Sequence, residues 1–402
     1  MKIRKLETTL VAVPVTRPPS VGIEETRPVG GMPTFGKHKI FDSEGKLKPQ
    51  VSAIVEISTT DGLVGIGEAS FRSPQMYEIL KTLIDKTEPI LLGRDPFDIE
   101  RIRREIFESY FMTHLHPHVA CWATIGVEMA LWDLMGKVCQ RPLCDLWGGA
   151  YRKEIPYMGW VVISDDVEDM KKQAKEYVIK GFKTLFSKVG FTSEIDERGI
   201  EAIRDAVGPD VEIRVDANQA WSTGEAIRRI KKLEKFDLEF VEQPVIMRNV
   251  DGLAYVRRSV NTPILAHESA WTFYDALEVI KKEAADALQL DPRFDYGFLA
   301  MKKAAGMAEA AGLPIGMHGW YVTGVSMGAF TNLLASIPNA TIASQTHYYH
   351  LVDDVIKEDL LKFREGHLRV PEGPGIGVEL DKDKFDKYAE LYRTLNRSRY
   401  WC

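Results

Sequence analysis

The stretch from residue 211 to residue 268 contains three short apolar runs that each end in an acid, VEIRVD (211–216), LEFVE (238–242) and TPILAHE (262–268). The acids, Asp216, Glu242 and Glu268, follow one another at equal intervals of 26 residues. Helical stretches separate the runs, as in buried parallel strands whose carboxyl ends meet at one edge. Three carboxylates share a small space only if a cation neutralises them, and oxygen ligands favour Mg²⁺. The interval therefore predicts a barrel and its metal.

The same alternation of strand and helix continues on both sides of this stretch. The segments between the runs are amphipathic helices, of which GEAIRRIKKLEKF (224–236) is an example. Strand and helix repeat about eight times, which predicts an α/β fold, a (β/α)7β-type TIM barrel over residues 148–352 that lacks its last helix. The other strand candidates are IPYMGWVV (155–162), TLFSKV (184–189), ADALQLD (285–291), LPIGMH (313–318) and ATIASQTH (340–347).

The parts outside the barrel predict an α+β capping domain over residues 1–147. Residues 1–70 are rich in strand patterns with a hairpin signal at Asp61-Gly62, and residues 75–147 have helical periodicity. Residues 16–50, rich in glycine, proline and charge, are too long for a simple connection and predict a lid or specificity loop. We expect the C-terminal segment, residues 353–402, to return to the capping domain.

Composition excludes several classes of protein. The 402 residues carry a net charge of −6 without a basic patch, which argues against nucleic acid as a partner. The chain has no run of ~20 apolar residues and no signal-peptide pattern, so we expect no membrane span and a cytoplasmic location. Cys139 and Cys144 are close enough in sequence to pair, although free thiols are the expectation in a reducing cytoplasm.

Ionisable and polar residues stand at the end of nearly every predicted barrel strand. A single acid there is more often a helix cap, and a single lysine or histidine more often a surface residue. A whole ring of such residues at the catalytic edge of a barrel instead predicts one functional site. The ring comprises Lys188, Asp216, Asn218, Glu242, His267, Glu268, Asp291, His318 and His347.

Eight motifs carry a resemblance to a known family over nearly the whole chain. They are MALWDLMGK (129–137), SKVG (187–190), VDAN (215–218), VEQP (241–244), AHES (266–269), LDP (290–292), GMH (316–318) and PGIGVE (374–379). With them the chain resembles the enolase superfamily, in its mandelate racemase/glucarate dehydratase branch. The resemblance implies an enzyme that binds a small carboxylate on Mg²⁺ and removes the proton α to that carboxylate. It also implies a homo-oligomer, a dimer or an octamer.

The resemblance also implies roles for single residues. Asp216, Glu242 and Glu268 fit the metal ligands, although His267 beside the third acid stays an alternative. Mg²⁺ prefers oxygen, so we take Glu268 as the ligand, whereas a histidine ligand would suit a softer ion. Asp291 would orient His318 as the general base or acid, and Lys188 would face the other side of the substrate. The expected substrate contacts are Asn218, His267, Trp320 and His347.

Two positions depart from the family pattern. The branch usually has two lysines in a KxK arrangement, but Phe186 occupies the first position here, which shifts weight from Lys188 to His318 as the base. Glucarate dehydratases have an amide two residues after the histidine, whereas this chain has Trp320, which makes the pocket bulkier and less polar.

Together these features predict a Mg²⁺-dependent dehydratase of a sugar acid, an aldonate or aldarate. It would abstract the α-proton, eliminate the β-hydroxyl and release a 2-keto-3-deoxy acid. One alternative is a racemase or epimerase of a 2-hydroxy or amino acid derivative, which shares the enediolate. The other is a protein that binds metal and acid sugar without catalysis.

Overall fold

The N-terminal part begins with an antiparallel sheet of three strands, β1 (Ile3–Val13), β2 (Gln50–Thr59) and β3 (Val64–Ser70). Strands β2 and β3 form the hairpin predicted at Asp61-Gly62, where Gly62 has a φ of 84° that favours glycine. The structure, a computed structural model, describes residues 1–16, 48–70, 76–115, 117–358 and 360–397. The predicted specificity loop, residues 16–50, therefore lies mostly outside the described residues.

Six helices follow the sheet, as the helical periodicity of residues 75–147 predicts. They are α1 (Tyr77–Asp85), α2 (Glu88–Leu91), α3 (Ile99–Glu108), α4 (Tyr110–Thr113), α5 (Pro117–Cys139) and α6 (Leu143–Leu146). By length and composition α5 is apolar enough to cross a membrane, but 83% of its apolar window is buried inside the protein. It lies so close to β3 that a Cβ on Gly67 would be 2.0 Å from the Gly126 carbonyl oxygen. Helix α5 is thus the core helix of the N-terminal part.

The second part is built on a parallel sheet whose strands are neighbours in chain order. After β4 (Glu154–Pro156), its seven strands are β5 (Gly159–Trp160), β6 (Thr184–Lys188), β7 (Glu212–Asp216), β8 (Phe240–Glu242), β9 (Ile264–Ala266), β10 (Ala287–Leu290) and β11 (Ile315–Met317). A helix follows each strand: α7 (Val167–Ile179), α8 (Ser193–Val207), α9 (Thr223–Leu233), α10 (Val250–Ser259), α11 (Phe273–Lys281), α12 (Phe298–Ala310) and α13 (Gly324–Ala335). Polar side chains such as Asp166, Thr192 and Ser222 cap the first turns, which fixes where these helices begin.

The eighth predicted strand, residues 340–347, is not a regular strand. This segment contains only a single bridge, between Ser344 and Tyr157, because its backbone bonds to two different neighbours. The Met158 amide donates to the Ser344 carbonyl oxygen at 3.0 Å, and the Gln345 amide donates to the Met317 carbonyl oxygen at 2.8 Å. The segment thereby connects the two outer strands of the parallel sheet.

The C-terminal segment contacts both parts of the chain. Strand β12 (Phe363–Arg364) pairs with β13 (His367–Arg369), which pairs with β4, and helix α14 (Lys382–Arg397) packs on β1. The Tyr392 hydroxyl donates to Glu78 of α1 at 2.8 Å. The division at residues 147 and 352 stays a prediction. Among the described residues, Cys121, Cys139 and Cys144 are free thiols.

Two buried glutamates join the N-terminal part to helices that follow the parallel strands. Glu68 of β3 accepts hydrogen bonds from the amides of Thr323 at 2.9 Å and Ser326 at 3.0 Å, at the start of α13. Glu128 of α5 accepts one from the Phe298 amide at 3.1 Å, at the start of α12. A helix N-terminus carries unpaired amides and a partial positive charge, so both carboxylates are stabilised there. These contacts fix β3 and α5 over the carboxyl edge of the parallel sheet.

We predict that Glu68→Ala lowers the free energy of unfolding by about 2 to 4 kcal/mol, because it leaves several buried donors without an acceptor. Urea unfolding measures this change. Glu7→Ala, which replaces an exposed glutamate on strand β1 of the same sheet, is the matched control and should stay within about 0.5 kcal/mol of the wild type. Equal effects of the two substitutions would show that Glu68 does not hold the two parts together.

We predict that Glu128→Gln makes stability less dependent on pH. Burial raises the pKa of Glu128 to about 7 against the opposing charge of Arg103, from an ordinary value of 4.5. The folded state therefore keeps a proton that the unfolded state releases. The stability contributed by this group is complete below pH 4.5 and is lost as the pH rises through about 7.

Urea unfolding from pH 5 to 8 compares the two proteins. Between pH 5 and pH 8 the free energy of unfolding of the wild type should fall by about 3 kcal/mol more than that of Glu128→Gln. Glu108→Gln replaces an exposed glutamate of α3 and should follow the wild type. Parallel pH curves for the wild type and Glu128→Gln would refute the raised pKa.

Candidate active site

Register in the parallel sheet brings the predicted residues to one edge. Lys188 of β6 pairs with Asp216 of β7, and Asp216 pairs with Glu242 of β8. Each of these three residues is the last of its strand. His267, Asp291 and His318 directly follow β9, β10 and β11, and Glu268 follows His267. The carboxyl edge therefore carries this ring, as the sequence predicts.

The backbone leaves this edge in unusual conformations. Asn218, Gln219 and Gln243 have φ angles of 51°, 68° and 36°, in a region that residues other than glycine rarely adopt. The Asn218 amide donates to Asp216 Oδ1 at 2.6 Å, which holds the first of these turns. Such strained conformations persist where the surroundings enforce them, often at functional sites.

Gln243 fixes the loop that follows β9. Its Oε1 accepts the amides of His267 and Ser269, both at 3.0 Å. Its Nε2 donates to the Val245 carbonyl oxygen at 2.9 Å and to Ser269 Oγ at 2.8 Å. Because the side chain is fully buried and makes all these bonds, it sets the orientation of residues 267 and 268. In the sequence, Gln243 stands out only as part of the VEQP motif (241–244).

Asp216, Glu242 and His267 form a buried cluster in which one ligand atom from each lies within 4.8 Å of the others. His267 Nδ1 lies 3.0 Å from Glu242 Oε1 and 3.5 Å from Glu268 Oε2. Glu268 accepts hydrogen bonds from the side-chain amides of Asn218 and of Gln219, the second at 3.1 Å. The structure thus brings His267, expected to bind substrate, into the cluster beside all three predicted acidic ligands.

Electrostatics of the cluster are dominated by burial. Burial raises the pKa of Asp216, although the ion pair with Lys188 opposes this, and burial also raises the pKa of Glu268. At His267 burial lowers the pKa, but the charges of Glu268 and Glu242 outweigh it and raise the pKa to about 9. Carboxylates packed this closely repel one another, so they favour protonation and the charged form of neighbouring cationic groups.

The donor set fits a hard divalent cation. Glu242 Oε1 and Glu268 Oε2 are buried and make no well-aligned hydrogen bond, although His267 Nδ1 lies 3.0 and 3.5 Å from them. Buried carboxylate oxygens nearly always have a partner, and a cation such as Mg²⁺ is the partner that suits several of them. His267 also has both ring nitrogens without a hydrogen bond, but it must lose its proton before it binds a metal. The choice between His267 and Glu268 as third ligand stays open.

Asp291 and His318 form a hydrogen-bonded pair, with 2.7 Å between His318 Nδ1 and Asp291 Oδ2. Burial would raise the pKa of Asp291, but Arg293 and His318 outweigh it and hold it well below its usual range. Burial and the charge of His267 lower the pKa of His318 to about 3. An ionised carboxylate only accepts, so Nδ1 carries the proton of the neutral imidazole. His318 Nε2 is then the atom that accepts a proton.

The edge opens into a cavity with about 890 Å³ of empty space, including open solvent. Ionisable and polar side chains line one part of it: Lys188, Asn218, His267, Glu268, Arg293, His318, Gln345 and Ser70. Aromatic side chains line the rest: Trp122, Trp160, Trp271, Phe294 and Trp320. Trp271 and Phe294 stack with their ring centroids 4.4 Å apart. Because Ser70 and Trp122 come from the N-terminal part, both parts of the chain build the cavity.

Two aromatic features answer questions that the sequence raised. Trp320 lines the cavity, as expected. The ring of Phe186, in place of the first lysine, lies 5.4 Å from Lys188 Nζ, and that of Trp160 lies 5.6 Å from it. Rings at this distance attract an ammonium group. Lys188 therefore lies beside two aromatic rings, and one of them, Phe186, stands at the position where the family pattern has a second lysine.

His347 is not among the side chains that line the cavity, and its expected contact with substrate stays a prediction. Its ring stacks on Tyr321 at 4.9 Å and lies 4.4 Å from the ring of Trp160. The reason is that its segment is not a regular strand, so the position of its side chain could not be read from strand alternation. The geometry gives His347 a role in supporting the cavity wall.

Arg293 is the principal site residue that sequence reasoning missed. It is buried, lines the cavity and contacts Asp291 and His318. The signal was the segment LDPRF, in which Arg293 stands two residues after Asp291. Gln345, which donates to Glu242 Oε2 at 3.0 Å, was also missed.

Family comparisons cover most of the chain. The family model described as mandelate racemase / muconate lactonizing enzyme, N-terminal domain, matches residues 37–148. The model described as enolase C-terminal domain-like matches residues 169–384. The two matches fall on the N-terminal part and on the part that carries the parallel sheet.

Individual relatives span several reactions. The arabinonate dehydratase of Saccharolobus solfataricus is 31% identical over 85% of this chain and 91% of its own length. The hydrophobic dipeptide epimerase of Enterococcus faecalis is 34% identical over 83% of this chain and 93% of its own. The crystal structure of the N-succinyl Arg/Lys racemase from Bacillus cereus superimposes with a TM-score of 0.82 at 25% identity and covers 96% of this chain and 98% of that one. The chain therefore belongs to the mandelate racemase / muconate lactonizing enzyme family of the enolase superfamily.

Proposed function

We propose that the protein is a Mg²⁺-dependent dehydratase of a sugar acid, an aldonate or aldarate. The observation that carries this proposal is the Asp291–His318 pair at 2.7 Å, whose histidine lines the same cavity as His267 and Glu268, next to the buried acids Asp216 and Glu242. The similarity to an arabinonate dehydratase supports the reaction class. Asp216, Glu242 and Glu268 would hold the metal, with His267 as the alternative third ligand.

Abstraction of the proton α to a carboxylate is the difficult step, because a second negative charge develops on a group that is already anionic. A bound divalent cation supplies the charge that stabilises such a transition state. His318 Nε2 takes the α-proton while Asp291 holds the ring through Nδ1. Lys188, paired with Asp216, also lines the cavity and adds a second positive charge.

Elimination completes the reaction. The imidazolium of His318 returns its proton to the β-hydroxyl, which leaves as water while the electron pair of the enediolate forms the new double bond. The resulting enol tautomerises to the 2-keto-3-deoxy acid. Because one residue takes one proton and returns one proton, His318 is neutral again at the end of the cycle. The aromatic wall limits access of bulk water to this step.

A racemase or epimerase is the second candidate, and two observations favour it. Lys188 and His318 both line the cavity, so groups that exchange protons are available at two positions. The aromatic lining suits an apolar substituent better than a row of hydroxyls, which would lose hydrogen bonds to water. The similarity to a hydrophobic dipeptide epimerase agrees with this alternative.

The wider organisation is part of the proposal. The bonds from the Ser344 segment to both outer strands support a closed (β/α)7β barrel. We propose a cytoplasmic homo-oligomer, a dimer or octamer, that takes a small carboxylate as its substrate. Residues 16–50 would form the specificity loop.

We predict that His318→Asn lowers turnover by about 10²- to 10⁴-fold, the usual contribution of a general acid–base group. A library of acid sugars, hydroxy acids and N-acyl amino acids is assayed for keto-acid release and for α-proton exchange in D₂O. His367→Asn, in β13 outside the cavity, is the matched control and should keep wild-type turnover.

The outcomes separate the candidate functions. Keto-acid release by the wild type supports the dehydratase, whereas exchange or inversion without keto acid supports the epimerase. Binding of a carboxylate without exchange would mean that the protein only binds its ligand. Unchanged turnover in His318→Asn on a confirmed substrate would remove His318 from the mechanism.

We predict that Mg²⁺ alone raises the midpoint of thermal unfolding, because an ion that binds only the folded state stabilises it by mass action. Glu242→Gln and Glu268→Gln should abolish this increase, whereas His267→Asn should keep it, since the hard ion prefers oxygen. The increase is measured with Mg²⁺, Mn²⁺ and Zn²⁺ after treatment with a chelator. Loss in His267→Asn together with retention in Glu268→Gln would make the histidine the third ligand.

A further inference from the structure

Arg293 holds both oxygens of Asp291. Its Nε donates to Oδ1 at 2.9 Å and its Nη2 donates to Oδ2 at 2.7 Å. The backbone amide of Arg293 adds a third bond to Oδ1 at 2.8 Å. A fork of two parallel bonds fixes the plane of a carboxylate as well as its distance. Asp291 is fully buried, so it has little freedom to rotate away from this arrangement.

The same guanidinium reaches His318. Oδ2 of Asp291, bound by Arg293, also accepts from His318 Nδ1 at 2.7 Å. Nη2 of Arg293 lies 3.4 Å from the His318 carbonyl oxygen and 3.4 Å from Nδ1. The guanidinium acts on this nitrogen through Asp291: it holds that carboxylate in place and ionised, and an ionised carboxylate can only accept the proton that Nδ1 carries. Arg293 and Asp291 together therefore keep the proton on Nδ1 and leave Nε2 as the basic atom.

Arg293 also connects this pair to the N-terminal part. Its Nη1 lies 3.4 Å from the hydroxyl oxygen of Ser70, the last residue of β3. Glu68, two residues earlier, is the carboxylate bound to the start of α13. The position of the guanidinium thus depends on how β3 sits on the barrel.

We propose that Arg293 is a positioning residue for proton transfer: it locks Asp291 so that His318 presents an unprotonated Nε2 to the substrate. The inference rests on the proposed function, since His318 is the base there. The inference goes beyond that function because it makes the reactive unit three residues, Arg293, Asp291 and His318. Ser70 is the contact of this unit with the N-terminal part.

Substitution of Arg293 tests the proposal by kinetics. Arg293→Met should lower kcat by about 10- to 100-fold, as for other groups that orient a reactive side chain, with KM nearly unchanged. The kcat of Arg293→Lys should lie between those of the wild type and Arg293→Met, because an ammonium group keeps the positive charge but cannot form the two parallel bonds of the fork. A rise in KM with unchanged kcat would overturn the proposal, since Arg293 would then bind substrate instead.

Chemical rescue distinguishes positioning from folding. Guanidinium ion, at concentrations far below those that unfold proteins, should restore part of the kcat of Arg293→Ala, whereas equal ionic strength of NaCl should not. The matched control is Arg214→Met, which removes another fully buried arginine paired with an acid, Glu239, away from the cavity lining. Arg214→Met should lose stability without any response to guanidinium. Equal responses of the two variants would refute a specific role of Arg293.

A measurement without substrate keeps the inference separate from the proposed function. ¹⁵N NMR of histidine-labelled protein reports which ring nitrogen of His318 carries the proton. The wild type should show one tautomer with the proton on Nδ1, and Arg293→Met should show a mixture. An unchanged single tautomer in Arg293→Met overturns the inference even if the enzyme is a dehydratase. If no acid in the library turns over or exchanges, the proposed function fails while the NMR result still decides the role of Arg293.

Discussion

Repulsion among buried carboxylates is the constraint on which the rest of the site depends. Asp216, Glu242 and Glu268 are fully removed from water at adjacent strand ends, where their charges are costly unless positive charge is near. Lys188 and His267 supply part of it, although His267 Nδ1 makes no well-aligned hydrogen bond to the two carboxylate oxygens that it faces. A cation held by such a cluster would also stabilise negative charge that develops on a substrate bound beside it.

The attachment of the N-terminal part also depends on buried acids that lie next to positive charge. The start of a helix carries partial positive charge, and the carboxyl groups of Glu68 and Glu128 lie at two such starts. The helix amides take the place that a metal ion would have in the acidic cluster. The contact is strong because it is buried and because backbone amides cannot move away. It brings Ser70 and Trp122 to the cavity, so both parts of the chain line it.

Much of the fold and the site could be predicted from sequence, because the end of a strand is a local property. Apolar runs that stop at Lys188, Asp216 and Glu242 mark the catalytic edge without any knowledge of tertiary contacts. The side chain at the next position could not be predicted in this way. His267 enters the cluster because a short turn starting at Glu268 ends the strand alternation, and Gln243 on a neighbouring strand holds that turn.

Arg293 and His347 show the other limit of sequence patterns. Arg293 acts through a fork with a residue two positions earlier, which requires a loop shape that no periodicity encodes. His347 lies in a segment that bonds to two different neighbours, so no alternation of faces applies to it.

Helix α14 packs on β1, the first strand of the chain, although the whole parallel sheet lies between them in sequence. On the ribosome, β1 therefore emerges long before the helix that covers it. Until the parallel-sheet part and α14 have been synthesised, the face of β1 that α14 covers lacks this partner, and exposed apolar surface of this kind favours aggregation. The chain order therefore separates the synthesis of β1 in time from that of the helix that covers it.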